Sequence, residues 1–369
     1  MTKRVEVLVV GAGPAGIVTA IAARRHGLQT TVLDGRKPPI DKPCGEGILP
    51  QGVAALRTLG IFLPRENSFP FRGIRFVDEQ HFARADFAGA TGLAVRRVKL
   101  HQFLVDCAIE AGVEFRWGTR VTQFDNESVT TNAGITPFRW LVGADGQNSQ
   151  VRKWAGLDPR AARLKRFGFC SHFQIAPWSD AAEVHWAPGC QIFITPLALS
   201  EIGVAALSRD PRLRLESALL QFPVLAEKLS GAARTTREFG DTTSLRILPA
   251  VARGRVALVG DASGTVDAVT GHGLSLSFQQ AIALAESMKQ GDLNRYQCAH
   301  KEIGAIGVTM TRLMLLMDGS DWIRRRTIRM FEQSPALFAK MLAIHTQSVP
   351  LSSVSVADIA GLGWEFLRT

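Results

Sequence analysis

The residues of this chain best suited to chemistry stand near its start, in a glycine-rich turn. Gly11, Gly13 and Gly16 have the spacing GxGxxG, which permits a tight turn, a close approach of the backbone to a pyrophosphate, and close packing of a helix on a strand. The unpaired N–H groups at the start of such a helix favour an anion. Asp34 ends the next apolar run, where a carboxylate can accept hydrogen bonds from ribose hydroxyls. The pattern predicts a dinucleotide site.

A strand–turn–helix–strand unit must position these residues. The sequence predicts a buried strand over 5–10, a helix over 17–27 that ends at a glycine, and a second strand over 29–34. Two later apolar runs also end in Gly and Asp, with the sequences WLVGADG and RVALVGDA. A glycine-bearing loop follows the second run, and a helix is predicted from about Gly273 to Met288. The N-terminus of such a helix suits an anion or a developing negative charge.

Composition places the chain among globular proteins. Of its 369 residues, 46% are hydrophobic and 21% are charged, which excludes a disordered, collagen-like or disulfide-scaffold protein. The five cysteines are odd in number and form no CxxC, so we expect no disulfide framework, no metal site and a cytoplasmic location. The uncharged run at 7–23 is interrupted by glycines and a proline, which fits the dinucleotide unit better than a signal peptide or membrane span. No other segment approaches a membrane span.

The net charge of +10 raises the question of a polyanionic partner. A nucleic acid is excluded as a partner because the chain has no basic tail and only one tyrosine. The densest basic stretch is Arg324, Arg325 and Arg326 with Arg329, which predicts one face of a helix. A solvated face is the preferred interpretation. The alternative is attraction of anionic ligands, an acidic protein partner or a membrane surface.

The motifs follow one another in the order GAGPAG, the acidic residue Asp34, Arg97, GADG and GDA. This order resembles that of a known group of flavoproteins. The group comprises monooxygenases built like p-hydroxybenzoate hydroxylase and the related geranylgeranyl reductases and flavin-dependent halogenases. The resemblance covers residues 1 to about 290. It implies an α/β fold with a Rossmann-like FAD-binding domain, an inserted mainly antiparallel β-sheet substrate domain and a helical C-terminal region. It implies FAD as the cofactor. NAD(P)H or a separate flavin reductase would donate electrons, since no second GxGxxG unit is evident.

Strand patterns in the middle of the chain suggest the domain bounds. Strands are predicted at 166–176, 183–186, 191–196 and 202–207, with residues 73–87 added to the same sheet and one helix over it from 211 to about 229. We therefore assign a discontinuous FAD-binding domain to 1–69, 91–159 and 247–300. The substrate domain takes 70–90 and 160–246, and the C-terminal helical region takes 301–369.

The resemblance also implies site residues. The three motif glycines would hold the FAD pyrophosphate, Asp34 the adenosine ribose, Arg97 the phosphate or ribose region, and Asp261 the ribitol chain. The amides of the loop at 270–274 would face the flavin pyrimidine. Asp145 lies in a motif for FAD and NAD(P)H handling, which is the preferred interpretation; the alternative is that it only caps a turn and a helix. The full set of implied cofactor contacts is Gly11, Gly13, Pro14, Ala15, Gly16, Asp34, Gly35, Arg36, Cys44, Gly45, Arg97, Asp145, Gly260, Asp261, Gly271, His272, Gly273 and Leu274.

Two of these residues are also candidates for catalysis. Cys44 lies in the stretch PCGEG, which resembles the flavin-covering loop of geranylgeranyl reductases, and is either a reactive thiol or a packed side chain. His272 is the best placed of the candidate acid–base groups, which also include His81, His172, His185 and Glu46. Alternatively, only the backbone of the flanking glycines acts at this position, and the His272 side chain has no catalytic role.

Among the reactions of this group of flavoproteins, the sequence favours hydroxylation over halogenation and double-bond reduction. The Trp-x-Trp-x-Ile-Pro element usual in halogenases is absent. The aromatic Tyr-x-Trp-x-Phe-Pro element of the reductases is reduced to Phe193-Ile194-Thr195-Pro196, and Ala268 and His272 replace the proline and glutamate common in their loop. We therefore expect a monooxygenase that hydroxylates an aromatic or apolar small molecule through a flavin hydroperoxide. A double-bond reductase, a halogenase-like enzyme, a hydroxylase of a partner protein and a flavin-binding sensor remain alternatives.

Overall fold

The computed structural model describes residues 4–79, 81–125, 127–158 and 165–350. The strands in chain order are β1 (Val5–Val10), β2 (Thr30–Asp34), β3 (Gly47–Ile48), β4 (Phe69–Phe71), β5 (Gly73–Val77), β6 (Phe82–Asp86), β7 (Gly92–Ala94), β8 (Glu114–Trp117), β9 (Val121–Phe124), β10 (Ser128–Thr131), β11 (Gly134–Gly143), β12 (Arg166–Gln174), β13 (Ala182–Ala187), β14 (Cys190–Ala198), β15 (Glu201–Ser208), β16 (Ala233–Arg234), β17 (Phe239–Thr243), β18 (Ala252–Arg253) and β19 (Val256–Leu258). The helices are α1 (Pro14–Arg25), α2 (Pro50–Thr58), α3 (Arg97–Glu110), α4 (Gln150–Trp154), α5 (Leu215–Leu219), α6 (Pro223–Lys228), α7 (Gly273–Gln290), α8 (Leu293–Gly319), α9 (Asp321–Gln333) and α10 (Pro335–His345).

The first sheet has the strand order β18-β19-β11-β1-β2-β8. Strands β19, β11, β1, β2 and β8 run parallel to one another. The apolar sequence VEVLVV of β1 suits a parallel strand that is covered on both faces. Helices α1, α3 and α7 pack together over this sheet and share its largest hydrophobic core. The predicted dinucleotide unit is present. Its helix begins at Pro14 rather than residue 17, because proline is favoured in the first helical turn.

The second sheet has the order β16-β12-β15-β14-β13-β5-β6, with β17 paired to β12. Its pairs are antiparallel except for β13 with β5. The predicted strands of the middle segment lie here, and residues 73–87 join as a hairpin. The single helix predicted from 211 to 229 is wrong: α5 and α6 are separate, because Pro223 starts a new helix and cannot sit inside one.

The C-terminal helices cover the second sheet. Helices α9 and α10 pack on β6, and α8 packs on both α7 and α9. A third, small sheet has the order β3-β7-β4, and its strands β4 and β7 contact β14 of the second sheet. The predicted fold class and helical C-terminal region are confirmed, while residues 351–369 of that region lie outside the described residues. The proposed domain bounds stay a prediction. Within the described ranges, no helix combines the length and apolar character needed to cross a membrane.

Candidate cofactor and substrate site

One large cavity brings the predicted site residues together. It has a volume of about 1060 Å³ and extends from the carboxyl ends of β1 and β2 to the helices α8, α9 and α10. All the predicted cofactor contacts line it except Gly16 and His272. In an open parallel sheet, this edge is where ligands bind.

The glycine turn after β1 has the shape of a phosphate cradle. Gly11 has φ +109°, and a Cβ there would lie 2.4 Å from the Ala144 carbonyl oxygen. A Cβ on Gly16 would lie 2.0 Å from the Gly11 carbonyl oxygen, so this glycine allows helix and turn to meet. Gly13 differs, because a Cβ there meets no atom within 4 Å. The space in front of Gly13 and the start of α1 is where an anion would be held.

Asp34 is fixed at the end of β2. Its Oδ2 accepts a hydrogen bond from the Ala12 N–H at 2.9 Å, and its Oδ1 accepts from the Arg36 N–H at 2.8 Å. His101, which sequence reasoning missed, holds the same turn from the other side through a 2.9 Å hydrogen bond between its Nε2 and the Ala12 carbonyl oxygen. The carboxylate and the glycine turn are therefore fixed relative to each other.

Arg97 begins α3, as predicted, and its side chain is buried. Burial lowers the pKa of its guanidinium, against the opposing effects of Cys44, Asp41 and Glu46. Its Nη1 is buried and has no hydrogen-bond partner among the described residues. A buried cation with an unpaired donor at a cavity wall requires an anionic or polar ligand. A cofactor phosphate or ribose would satisfy it.

The PCGEG loop is held by buried charges. Glu46 adopts φ 59°, and its Oε1 accepts a hydrogen bond from the Arg97 N–H at 2.7 Å, while its Oε2 lies 2.7 Å from His172 Nε2. The Thr195 hydroxyl donates to the Gly45 carbonyl oxygen at 2.9 Å. Burial raises the pKa of the Cys44 thiol more than the Arg97 charge lowers it, so the thiol stays neutral. Whether Cys44 takes part in catalysis stays a prediction, and the structure gives Glu46 and His172 a positioning role.

Two polar groups face the cavity from the GADG and GDA motifs. Asp145 accepts hydrogen bonds from the Ser149 hydroxyl at 2.5 Å and the Gln150 N–H at 2.7 Å, so it caps α4 as well as lining the cavity. The Asp261 side chain is exposed to the cavity, but the surrounding protein separates it from bulk water. This desolvation raises its pKa, and the smaller effect of the Lys42 charge lowers it. The Gly260 N–H donates to Gln280 Oε1 at 2.9 Å, which fixes the turn that presents Asp261.

The loop before α7 presents its backbone to the cavity and turns its histidine away. Gly271 and Gly273 have open space where a Cβ would stand. The His272 side chain is completely buried, and its Nε2 donates to the His345 carbonyl oxygen at 2.8 Å. Burial lowers the pKa of His272 to about 4, so the ring is neutral. In return, His345 Nε2 donates to the Thr270 carbonyl oxygen at 3.0 Å. This geometry favours the backbone alternative, and a catalytic role for His272 stays a prediction.

The remaining histidine candidates each contact a carboxylate. His81 Nδ1 lies 2.6 Å from Glu332, and His185 Nε2 lies 2.9 Å from the buried Glu183. Neither histidine lines the cavity. No group of three or more His, Cys, Asp or Glu in the described part of the chain is arranged to hold a metal ion.

The far half of the cavity is apolar, and sequence reasoning did not place the C-terminal helices in its wall. Helices α8, α9 and α10 contribute methionine, leucine, isoleucine and phenylalanine side chains to its wall, opposite Phe76 and Phe193 of the second sheet. The available signal was the spacing of Met310, Met314 and Met317, which places them on one face of α8. The same spacing is expected for an ordinary core face.

The residues present fit FAD. Gly13, Gly271 and Gly273 leave space that side chains would fill, Arg97 has an unpaired buried donor, and Asp261 offers a carboxylate inside the cavity. Together they provide an anion site, a cationic contact and acceptors for hydroxyl groups along one cavity.

Comparison with known proteins agrees with this fit. The family described as "FAD binding domain" matches residues 4–195. Menaquinone reductase of Mycobacterium tuberculosis is 27% identical over 79% of this chain and 78% of its own length. Digeranylgeranylglycerophospholipid reductase 2 of Methanosphaera stadtmanae is 25% identical over 79% of this chain and 80% of its own length. A flavoprotein/dehydrogenase from Cytophaga hutchinsonii has the same fold, with a TM-score of 0.80 and 17% identity over 93% of each chain.

Proposed function

Because the chain belongs to the FAD binding domain family and is an FAD-dependent oxidoreductase, we propose that it is a monooxygenase that hydroxylates an aromatic or apolar small molecule. The observation that supports this proposal is the apolar half of the cavity, which adjoins the loop at 270–274 where the flavin ring would bind. When bound, FAD supplies the redox chemistry, and the protein supplies position and a dry environment. Gly11, Gly13 and Arg97 would hold the phosphates, Asp34 a ribose, and Asp261 the ribitol chain.

The chemistry of the cavity wall supports hydroxylation. Among the residues that α8, α9 and α10 contribute to the wall, His345 alone is titratable, and its Nε2 is already bonded to the Thr270 carbonyl oxygen. Apolar side chains disfavour water, and so few proton donors in this part of the wall would limit the protons available to a reactive oxygen species there. Phe193 and Thr195 line the cavity at the positions where the resemblance to prenyl reductases would place Trp and Phe.

A double-bond reductase is the second candidate, and a specific observation favours it. Reduction of a carbon–carbon double bond needs a hydride and a proton, and the neutral thiol of Cys44 lines the same cavity. The two reductases named above also match this chain over about four-fifths of its length. We keep the monooxygenase first because the reductase elements at 193–196, 268 and 272 are changed in this chain.

The two candidates separate in one experiment. The FAD-loaded protein is reduced without oxygen and then mixed with oxygenated buffer, with and without an apolar aromatic ligand. A monooxygenase gives an oxygen-dependent transient absorbance near about 370–390 nm, because the dry cavity protects the adduct. Direct return to the oxidised spectrum with every ligand, together with anaerobic oxidation of the reduced protein by an alkene, would support the reductase instead.

A matched pair of variants tests the cavity wall. Met314→Gln places an amide of similar size in the apolar half, so it should shorten the transient. Arg312→Gln lies on the exposed side of the same helix and should leave it unchanged. Reduction by NADH or NADPH, compared with reduction by a separate flavin reductase, identifies the electron donor.

A further inference from the structure

A hydrogen-bonded chain of side chains links the cavity wall to the protein surface. Glu46 lines the cavity, and its Oε2 lies 2.7 Å from the Nε2 of His172, a residue that is 2% exposed. The other ring nitrogen, Nδ1, lies 2.8 Å from the Thr236 hydroxyl oxygen. Thr236 is half-buried, and its neighbours Thr235 and Arg237 are exposed. A carboxylate, an imidazole and a hydroxyl group therefore connect the cavity with the surface.

The hydrogen-bond partners of His172 fix where the proton of the neutral ring lies. An ionised carboxylate only accepts hydrogen bonds, so the Nε2 at 2.7 Å donates to Glu46 Oε2. The Thr236 oxygen accepts from the His172 backbone N–H at 3.1 Å, which leaves the hydroxyl proton free to donate to Nδ1. The neutral ring is therefore protonated at Nε2, and a hydroxyl proton faces Nδ1.

The other carboxylate oxygen of Glu46 has different partners. Oε1 accepts from the Arg97 N–H at 2.7 Å, and Arg96 Nε lies 3.6 Å from it. Arg96 Nη1 in turn pairs with Glu201 at 2.6 Å. Oε2 is therefore the oxygen of Glu46 that can exchange a proton with the imidazole. Glu46 keeps this orientation with φ 59°, a strained value for a residue with a side chain, and such strain is common at functional sites.

Glu46 differs from other acids of the cavity wall in the kind of group that it contacts. Asp34, Asp145 and Asp241 also line the cavity, and each accepts a hydrogen bond from a backbone amide. A backbone amide keeps its proton, whereas an imidazole can lose a proton at one nitrogen and gain one at the other. Contact with His172 therefore gives Glu46 a route for proton transfer that a backbone amide does not provide.

We propose that Glu46, His172 and Thr236 form a proton relay between the cavity and the surface. In the inward direction, the Nε2 proton moves to Glu46 Oε2, the Thr236 hydroxyl proton moves to Nδ1, and a solvent proton replaces it on Thr236. The outward direction reverses these three transfers, so one proton crosses and no electron moves along the chain. The proposal rests on flavin redox chemistry, which takes up or releases protons and is common to both candidate reactions of the proposed function.

Proton release by the full-length, FAD-loaded protein tests the relay without oxygen or substrate. The protein is reduced anaerobically and mixed with ferricyanide, which accepts electrons but no protons, in a weakly buffered solution of a pH-indicator dye. Thr236→Val has the same shape without the hydroxyl and should slow the dye response roughly tenfold or more, whereas Thr236→Ser keeps the hydroxyl and should respond like the original protein. Thr235→Val is the matched control, because the Thr235 hydroxyl contacts Glu201 at 3.2 Å, outside the relay, and it should leave the response unchanged.

The position of the ring proton gives a second readout that needs no bound flavin. Nitrogen NMR of the full-length apoprotein, with the His172 signals assigned by their loss in His172→Gln, should show the neutral ring protonated at Nε2. A neutral ring protonated at Nδ1, equal dye rates in Thr236→Val and the original protein, or an equal loss in Thr235→Val would each overturn the proposal. Because neither measurement uses oxygen or a substrate, failure here leaves the hydroxylation test unaffected.

Discussion

Gly13→Ala should separate cofactor binding from folding. Gly13 has φ −75° and ψ 172°, which alanine adopts freely, and a Cβ at this position meets no atom within 4 Å. Alanine restricts the conformations of the unfolded chain, which stabilises the folded protein by up to about 1 kcal/mol. Alanine is also a poorer N-cap than glycine, which destabilises the folded protein by a similar amount. The free energy of unfolding of the apoprotein should therefore change by less than about 1 kcal/mol.

The affinity for FAD should change far more. The added methyl group would stand in the space before α1 where the pyrophosphate must approach the backbone amides. Loss of two hydrogen bonds to a charged group, at about 1.5–3 kcal/mol each, would raise the FAD dissociation constant roughly 100-fold or more. Flavin fluorescence titration of the apoprotein measures the affinity, and urea unfolding of the same sample measures stability.

Two other glycines provide the controls. Gly304→Ala, in the interior of α8 with open space around its Cβ, should stabilise by about 1 kcal/mol and leave FAD affinity unchanged. Gly16→Ala should destabilise the apoprotein, since its Cβ would lie 2.0 Å from the Gly11 carbonyl oxygen. If Gly13→Ala bound FAD as tightly as the original chain, the assignment of the phosphate site to α1 would be refuted.

Three further changes have distinct expected outcomes. Asp261→Ala should abolish or strongly weaken FAD retention through gel filtration, and normal retention would contradict its assignment. Asp318→Asn should lower the free energy of unfolding in urea by about 3–5 kcal/mol, because buried Asp318 accepts from Arg209 at 2.7 Å and from Gln191 at 2.6 Å; Asp210→Asn, in an exposed pair, should change it by less than about 1 kcal/mol. Burial lowers the pKa of His272 to about 4, so the unfolded chain binds the proton first as pH falls below about 6.5. The original protein should lose roughly 2 kcal/mol more than His272→Gln between pH 7 and pH 5, and equal pH slopes in urea unfolding would contradict a buried neutral ring.

The cofactor half of the site was predictable because its requirements are local. A pyrophosphate needs glycines at fixed spacing between a strand and a helix, and Asp34 is near in sequence to the Ala12 amide that it accepts from. Arg97, distant in sequence, was expected only from the resemblance, which implies an arginine at the start of this helix. These patterns are short and have few other physical explanations.

The substrate half could not be predicted because it is formed by packing between distant elements. Met310, Met314 and Met317 follow a helical period that a buried core also produces, so the spacing does not distinguish a wall from a core. The prediction of one helix from 211 to 229 was wrong for a different reason. Pro223, which starts α6, is visible in the sequence, so local reasoning could have divided the helix there. Nothing in the sequence indicates that His345 contacts a loop 75 residues earlier.

That contact explains why a histidine can stand at 272, where the loops of resembling reductases commonly have a glutamate. The His272 Nε2 donates to the His345 carbonyl oxygen, and His345 returns a hydrogen bond to the Thr270 carbonyl oxygen, with the two rings 4.1 Å apart. An ionised glutamate has no proton to donate and would repel the carbonyl it faces. The loop that begins α7 is therefore fixed by the end of α10, and α10 also contributes Met341 and Leu342 to the cavity wall. It follows that the backbone amides that would face the flavin are positioned by a helix that lines the apolar half of the cavity, so the two halves of the cavity share one structural support.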